Sequence, residues 1–305
     1  MKKGSHQNLA HAHPCSPLES SDRTEGQNDR VIPDRNPPIW DFGTNLVENA
    51  PGDYTAGDKA RGAWQFSGAQ GYRILGIVLR NCHNEAVDCG GIRYYETTTN
   101  LCIKSCLFES NDVGITGGAQ DSQAVIEYCE FNANGKTNAP SSAPTHNIYI
   151  YGGYLTMRYC FLHDSRQGQN FHIRCRQSTL EYNWFARAAN YERDLMSDDD
   201  FGNDYDSPPY SQTMVFRGNV IVQNKNPGNH SQVIAIYNDE EISGLTMNLA
   251  ATYNTFIGTY GTSQFVHVSN ADGTSMNAAL SDNIISGTTV PYYIEDTTNG
   301  TEAGG

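Results

Sequence analysis

Residues 180–185 read Leu180-Glu181-Tyr182-Asn183-Trp184-Phe185, and the same six-residue phrase returns along the chain. It appears as IKSCLF at 103–108, IEYCEF at 126–131, MRYCFL at 157–162, FRGNVI at 216–221, ATYNTF at 251–256 and LSDNII at 280–285. Its fourth position is always small and polar: Cys106, Cys129, Cys160, Asn183, Asn219, Asn254 and Asn283. An apolar residue stands two places after that position and another three places before it, so the phrase carries two inward-facing columns. The gap between phrases is elastic, short from Cys106 to Cys129 and long from Asn183 to Asn219, while the phrase itself stays fixed. That is the mark of a solenoid whose insertions fall in loops. Asn side chains stacked at a turn can hydrogen-bond up and down their column and satisfy amides that burial would otherwise leave without partners. The expected fold is all-β: a right-handed parallel β-helix with a Cys/Asn ladder.

The 305 residues carry a formal charge of -14 and a pI near 4.9. An acidic chain of this kind excludes nucleic acid as a partner, and any polyanionic substrate needs local cationic relief. No apolar run approaches the length of a membrane span. Met1-Lys2-Lys3 is followed by His, Gln and Asn, where a signal peptide would place its apolar stretch. Most of the eight cysteines fall on the strand repeat, with Cys82 expected one rung before Cys106 on the ladder. Buried free thiols are favoured there over bridges between rungs, and the spacing does not suit zinc.

The repeat runs from about residue 72 to about 287, which points to one solenoid domain over 39–298 rather than two domains. Residues 1–38, rich in His, Ser, Pro, Asp and Asn, read as a disordered arm. The stretch from Ile39 to Phe66 is expected to cap the open end, and residues 299–305 to form a frayed tail. The solenoid is expected to work as a monomer.

Each rung also offers a second strand, at 90–95, 113–118, 146–152, 169–175, 191–197, 232–238 and 264–270. Successive side chains alternate. With Ile148, Ile150, Phe171, Ile173, Cys175 and Leu195 inward, the outward face shows Asn147, Tyr149, Tyr151, Asn170, His172, Arg174, Glu192 and Asp194. On neighbouring rungs the same face shows Thr116, Ala235, Tyr237 and His267. Parallel strands stack about 4.8 Å apart, so residues distant in sequence become neighbours there.

The run Thr145-His146-Asn147-Ile148-Tyr149, then Gly168 with Phe171-His172-Ile173-Arg174, then Tyr191-Glu192-Arg193-Asp194-Leu195 and Gly218-Asn219, resembles a group of bacterial right-handed parallel β-helix proteins of the pectate-lyase-like superfamily. The similarity covers roughly residues 60–258. It implies carbohydrate chemistry on the exposed strand face, mostly by lyases and hydrolases acting on acidic polysaccharides. It favours a secreted or periplasmic location, while the sequence, with no signal peptide visible, leaves localisation undecided. Arg174 and Asp194 match the group. The group usually carries Lys where His172 stands, His where Gln169 stands, and Pro-Asn-Gly-Gly where Met196, Ser197, Asp198 and Asp199 stand. If that Lys is the group's catalytic base, the role passes here to His172 or is lost.

Three chemistries suit the face. β-Elimination of a uronate needs a cation on the carboxylate, a base at the C5 proton and a proton for the leaving O4. Arg174 is the candidate for the first, through its planar fork. His172 is the candidate for the second and Tyr149 for the third; a solvated surface pair is the plain alternative for His172 and Arg174. Inverting glycoside hydrolysis would use Glu192 and Asp194, two apart on one strand with backbones about 6.6 Å apart. Glycan binding without catalysis would use Tyr149, Tyr151, Tyr154, Tyr94, Tyr95 and Tyr237 as a flat aromatic surface, with Asn147, Asn170 and His267 as further contacts. Beside this face, Asp198, Asp199 and Asp200 offer hard oxygen ligands suited to Ca²⁺, with a solvated acidic loop as the alternative. A second tyrosine series, Tyr128, Tyr159, Tyr182 and Tyr253, precedes the ladder on another face, where structural stacking is the expected role.

Overall fold

The computed structural model describes residues 37–43, 62–68, 70–84, 87–95, 98–136, 145–189, 193–197, 210–223, 232–238, 242–259, 264–270, 275–287, 290–296 and 301–304. Among them are 27 strands and no helix, in sheets of nine, ten and eight strands. The chain lays one short strand in each sheet in turn and then begins the next rung, so neighbours within a sheet are three strands apart in sequence. The fold is a right-handed parallel β-helix.

Both apolar columns of the repeat stack in register. In the first sheet Phe108, Phe131, Leu162, Phe185, Ile221, Phe256 and Ile285 are successive partners. In the third, Ile103, Ile126, Met157, Leu180, Phe216, Ala251 and Leu280 are. The Phe108 and Phe131 rings lie parallel with centroids 4.9 Å apart, and both are fully buried. Each such side chain contributes about 1.5–3 kcal/mol of transfer free energy. On the outer surface of the third sheet, Lys104, Glu127, Arg158, Glu181 and Arg217 alternate in sign down one column. A slip by one rung would set like charges side by side.

The ladder joins the first and third sheets at a corner. The Asn183 backbone N–H and Nδ2 both donate to Asn219 Oδ1, at 2.9 and 3.0 Å, while Nδ2 also donates to the Met157 carbonyl at 3.1 Å. Asn219 repeats the pattern onto Asn254, and Asn254 onto Asn283. The residue before the ladder position sits in the left-handed region at Tyr128, Tyr159, Tyr182 and Tyr253, with φ between 52° and 58°. Their rings stack: Tyr128 on Tyr159 at 4.9 Å and Tyr159 on Tyr182 at 5.6 Å. Gly218 fills this corner one rung later and tolerates the positive φ; a Cβ there would meet the Tyr182 ring at 2.6 Å.

A second ladder, at the corner between the first and middle sheets, corrects the reading of two residues. Asn111 donates to Asn134 Oδ1 at 2.9 Å, Asn134 to Asn147 Oδ1 at 2.8 Å and Asn147 to Asn170 Oδ1 at 2.6 Å. Asn147 and Asn170 are fully buried. They do not face outward with Tyr149 and His172, because each lies just before its strand begins, at Ile148 and Phe171, where alternation does not yet hold. Cys82 heads this second ladder, its N–H donating to Asn111 Oδ1 at 3.0 Å, and so is not on the Cys106 column.

Cys82, Cys89, Cys106, Cys129, Cys160 and Cys175 are buried free thiols, whereas Cys102 is disulfide-bonded. Burial pushes the thiols of Cys82 and Cys89 far above the ordinary range, so they are unreactive. Ile39–Asp41 and Gly62–Ser67, expected as a cap, supply the first strands of two of the sheets, with Trp40 edge-on to Trp64 at 5.3 Å. At the other end, where a frayed tail was expected, Thr301–Gly304 pairs antiparallel with Val290–Asp296. The N-terminal arm up to residue 36 lies outside the described residues.

Candidate functional site

The middle sheet carries two outward columns. One runs Arg93, Thr116, Tyr149 and His172, then Ala235 and His267 beyond the backbone register position of Asp194; the other includes Tyr95, Gly118, Tyr151 and Arg174. Tyr149, His172 and Arg174 come together as expected. The Tyr149 and His172 rings are 4.7 Å apart at 59°, and Tyr151 tilts against Tyr149 at 5.8 Å. Arg174 donates from Nε to His172 Nε2 at 3.4 Å and from a terminal nitrogen to the Ser197 carbonyl at 3.2 Å. Only 8% of Arg174 is exposed, which places a guanidinium at the floor of the face and His172, half-buried, above it. Sequestering a cation from water strengthens its pull on an incoming carboxylate.

His146, not among the residues expected at the site from sequence, also stands on this face. Its ring stacks on His172 with centroids 4.9 Å apart at 19°, and lies 5.8 Å from Tyr149. Its Nδ1 accepts the Gln169 backbone N–H at 3.1 Å, so in the neutral ring the proton sits on Nε2. Burial, then the neighbouring His172, holds His146 well below the ordinary histidine range, and it remains neutral. Gly168 makes room for it: a Cβ there would approach His146 Nδ1 to 2.4 Å. Once Asn147 is recognised as a ladder residue, the residue before it falls at the rim of the face, which is the signal that marks His146.

Other expected residues stand apart. Asn147 and Asn170 are spent on the ladder. Tyr94 belongs to the core at 1% exposure, so it offers no surface to a sugar. Tyr237 donates its hydroxyl to Gln232 at 2.7 Å, and His267, buried, meets Gln264 at 3.0 Å. His267 is three rungs from His172 in register, about 14 Å at the usual strand spacing. Asp194 holds the register position next to His172, in strand Arg193–Met196. Glu192, Asp198, Asp199 and Asp200 lie outside the described residues, as does the Asp194 side chain. Among the described residues no three His, Cys, Asp or Glu side chains converge as a metal-holding group.

No family model matches this chain, and no curated protein matches it. The architecture supplies the coarser statement. A parallel β-helix with an exposed strand face is compatible with carbohydrate-active enzymes and with carbohydrate binding.

Proposed function

We propose that the face around Tyr149, His172 and Arg174 cleaves an acidic, uronate-containing polysaccharide by β-elimination. The observation that carries this reading is the contact between Arg174 Nε and His172 Nε2, a cation and an imidazole acceptor 3.4 Å apart beside a tyrosine ring. The guanidinium takes the substrate carboxylate and so acidifies the C5 proton. As Arg174 turns toward the substrate, His172 Nε2 is released to accept that proton. The electron pair left on C5 forms the C4–C5 double bond, the C4–O4 bond breaks, and Tyr149 supplies a proton to O4. His146, neutral with its proton on Nε2, adds no charge and can donate to the substrate.

Substitution of His172 by Ala tests the assignment: elimination, followed as the ultraviolet absorbance of unsaturated uronate ends, should fall by about 10²–10⁴-fold while the melting temperature stays close to wild type. Retained elimination in that variant would remove His172 from the chemistry. Ca²⁺ on Asp198, Asp199 and Asp200 would further offset the repulsion between an acidic protein and an acidic sugar. A chelator then lowers the rate.

A further inference from the structure

The corner between the first and third sheets carries a cleft unrelated to the Arg174 face. It is an open, shallow groove of about 490 Å³ lined by Tyr159, Cys160, Phe161, Tyr182 and Trp184. Tyr159, Tyr182 and Trp184 are 41%, 49% and 50% exposed. Stacking between rungs accounts for Tyr159 and Tyr182, whose faces cover one another. It does not account for Trp184, which meets Phe161 only edge-on, at 6.2 Å and 71°, and leaves half its surface open. A contiguous exposed aromatic patch of this kind, rimmed by polar groups, is the usual mark of a binding surface.

The rim decides the class of ligand. His163 stacks on Phe161 at 3.9 Å and bridges Asp164 Oδ2 at 2.5 Å and Glu130 Oε1 at 3.2 Å. Arg187 forks onto both oxygens of Asp164 at 2.7 and 2.6 Å. Next to Tyr159 and Tyr182 in sequence, Arg158 and Glu181 form an ion pair, and Arg217 one rung on engages the same Glu181. Each guanidinium beside the cleft is already engaged by a carboxylate of the chain, Arg187 by Asp164 and both Arg158 and Arg217 by Glu181, so an acidic sugar would have to displace those contacts to reach a cation. A neutral sugar fits: its apolar ring face lies on an indole, and its hydroxyls meet a rim that holds donors and acceptors. The volume lies in the range of small-ligand pockets. Because Tyr159 and Tyr182, like Phe161 and Trp184, sit on successive rungs, the surface repeats along the axis and suits a chain of sugar units over a single one.

We propose that this cleft is a second carbohydrate site, which holds neutral hexopyranose units of a glycan by stacking against Trp184 between the edges of Tyr159 and Tyr182.

The test is calorimetric titration of the full chain with neutral gluco-, manno- and galacto-oligosaccharides, and with uronate oligosaccharides in parallel. At least one neutral series should bind and perturb tryptophan emission. Trp184→Ala should weaken it by about tenfold and Trp184→Phe by less, with melting temperatures unchanged. Uronate binding should be the same in all three proteins. Three results would each overturn the proposal: no neutral series binding to the wild type, equal affinity in Trp184→Ala, or loss of uronate binding in that variant. Because ligand and variant differ from those that report on His172 and Arg174, failure of the elimination reading leaves this result standing.

Discussion

Arg174 and His172 lie two residues apart on one strand, with Nε of the first donating to Nε2 of the second at 3.4 Å. The bond needs an unprotonated Nε2, so the contact orients the imidazole with that nitrogen as an acceptor, occupied until Arg174 turns to a substrate. A lysine at position 174 would keep the charge and lose the fork. Arg174→Lys should therefore lower kcat by about 10²–10³-fold on a uronate substrate, as loss of one preorganised donor does. Steady-state kinetics checks this; a rate within twofold of wild type would show that charge alone suffices.

Gly168 is required by His146. A Cβ would stand 2.4 Å from His146 Nδ1 and 2.6 Å from the Thr145 carbonyl. Gly168→Ala should displace His146, cost about 1–3 kcal/mol in denaturant melts as overpacking does, and lower activity beyond what lost stability explains. His146→Asn keeps an acceptor near the Gln169 N–H and should fold normally, which separates the two effects.

The interior of the Asn ladder should matter more than its end. Asn219→Ala removes the acceptor of two donors from Asn183 and two donors of its own. The loss should be about 1–3 kcal/mol or more, since the groups left behind are buried. Asn283→Ala, at the last described rung of the ladder, should cost less. Chemical denaturation of the two variants decides it.

Two histidines bend the stability curve in opposite directions. His146 is held neutral below the ordinary value of about 6.5, so the unfolded chain binds more protons there and stability falls as pH drops below about 6.5. At His163 burial works against charge, but the carboxylates of Glu130 and Asp164 outweigh it and the net shift is upward. Its contribution is complete below about 6.5 and is lost as pH rises through the folded value. Asp164, lowered chiefly by its Arg187 bond, contributes above about 3.9 and is lost as pH falls through its lower folded value. NMR titration should show the His146 ring signal unmoved through pH 6.5 while His163 titrates above it. His146→Asn should flatten the limb below about pH 6.5 and His163→Asn the limb above it.

The solenoid was legible because a buried column tolerates so few residue types: the ladder and the two apolar columns of the phrase fall in register as read, from Phe108 to Ile285 and from Ile103 to Leu280. The outward face was legible only inside strands. Ile148, Ile150, Phe171 and Ile173 are buried as alternation requires, which leaves Tyr149 and His172 outside. At corners period two fails, and Asn147, Asn170 and Cys82 turn inward to a second ladder that carries no fixed phrase of its own. Tyr94 was misplaced for another reason. It lies two residues from the buried Ile92 on strand Gly90–Tyr95, so alternation itself turns it inward and leaves Arg93 and Tyr95 on the outer face.

The most direct measurement is ultraviolet absorbance of unsaturated uronate ends, followed together with reducing ends, when the protein is incubated with pectate, alginate, hyaluronan, chondroitin and glucuronan. β-Elimination at His172 and Arg174 predicts that absorbance and reducing ends rise together on at least one of them, and that neither rises with Arg174→Ala. Reducing ends without absorbance, or no product from any of the five, would contradict it.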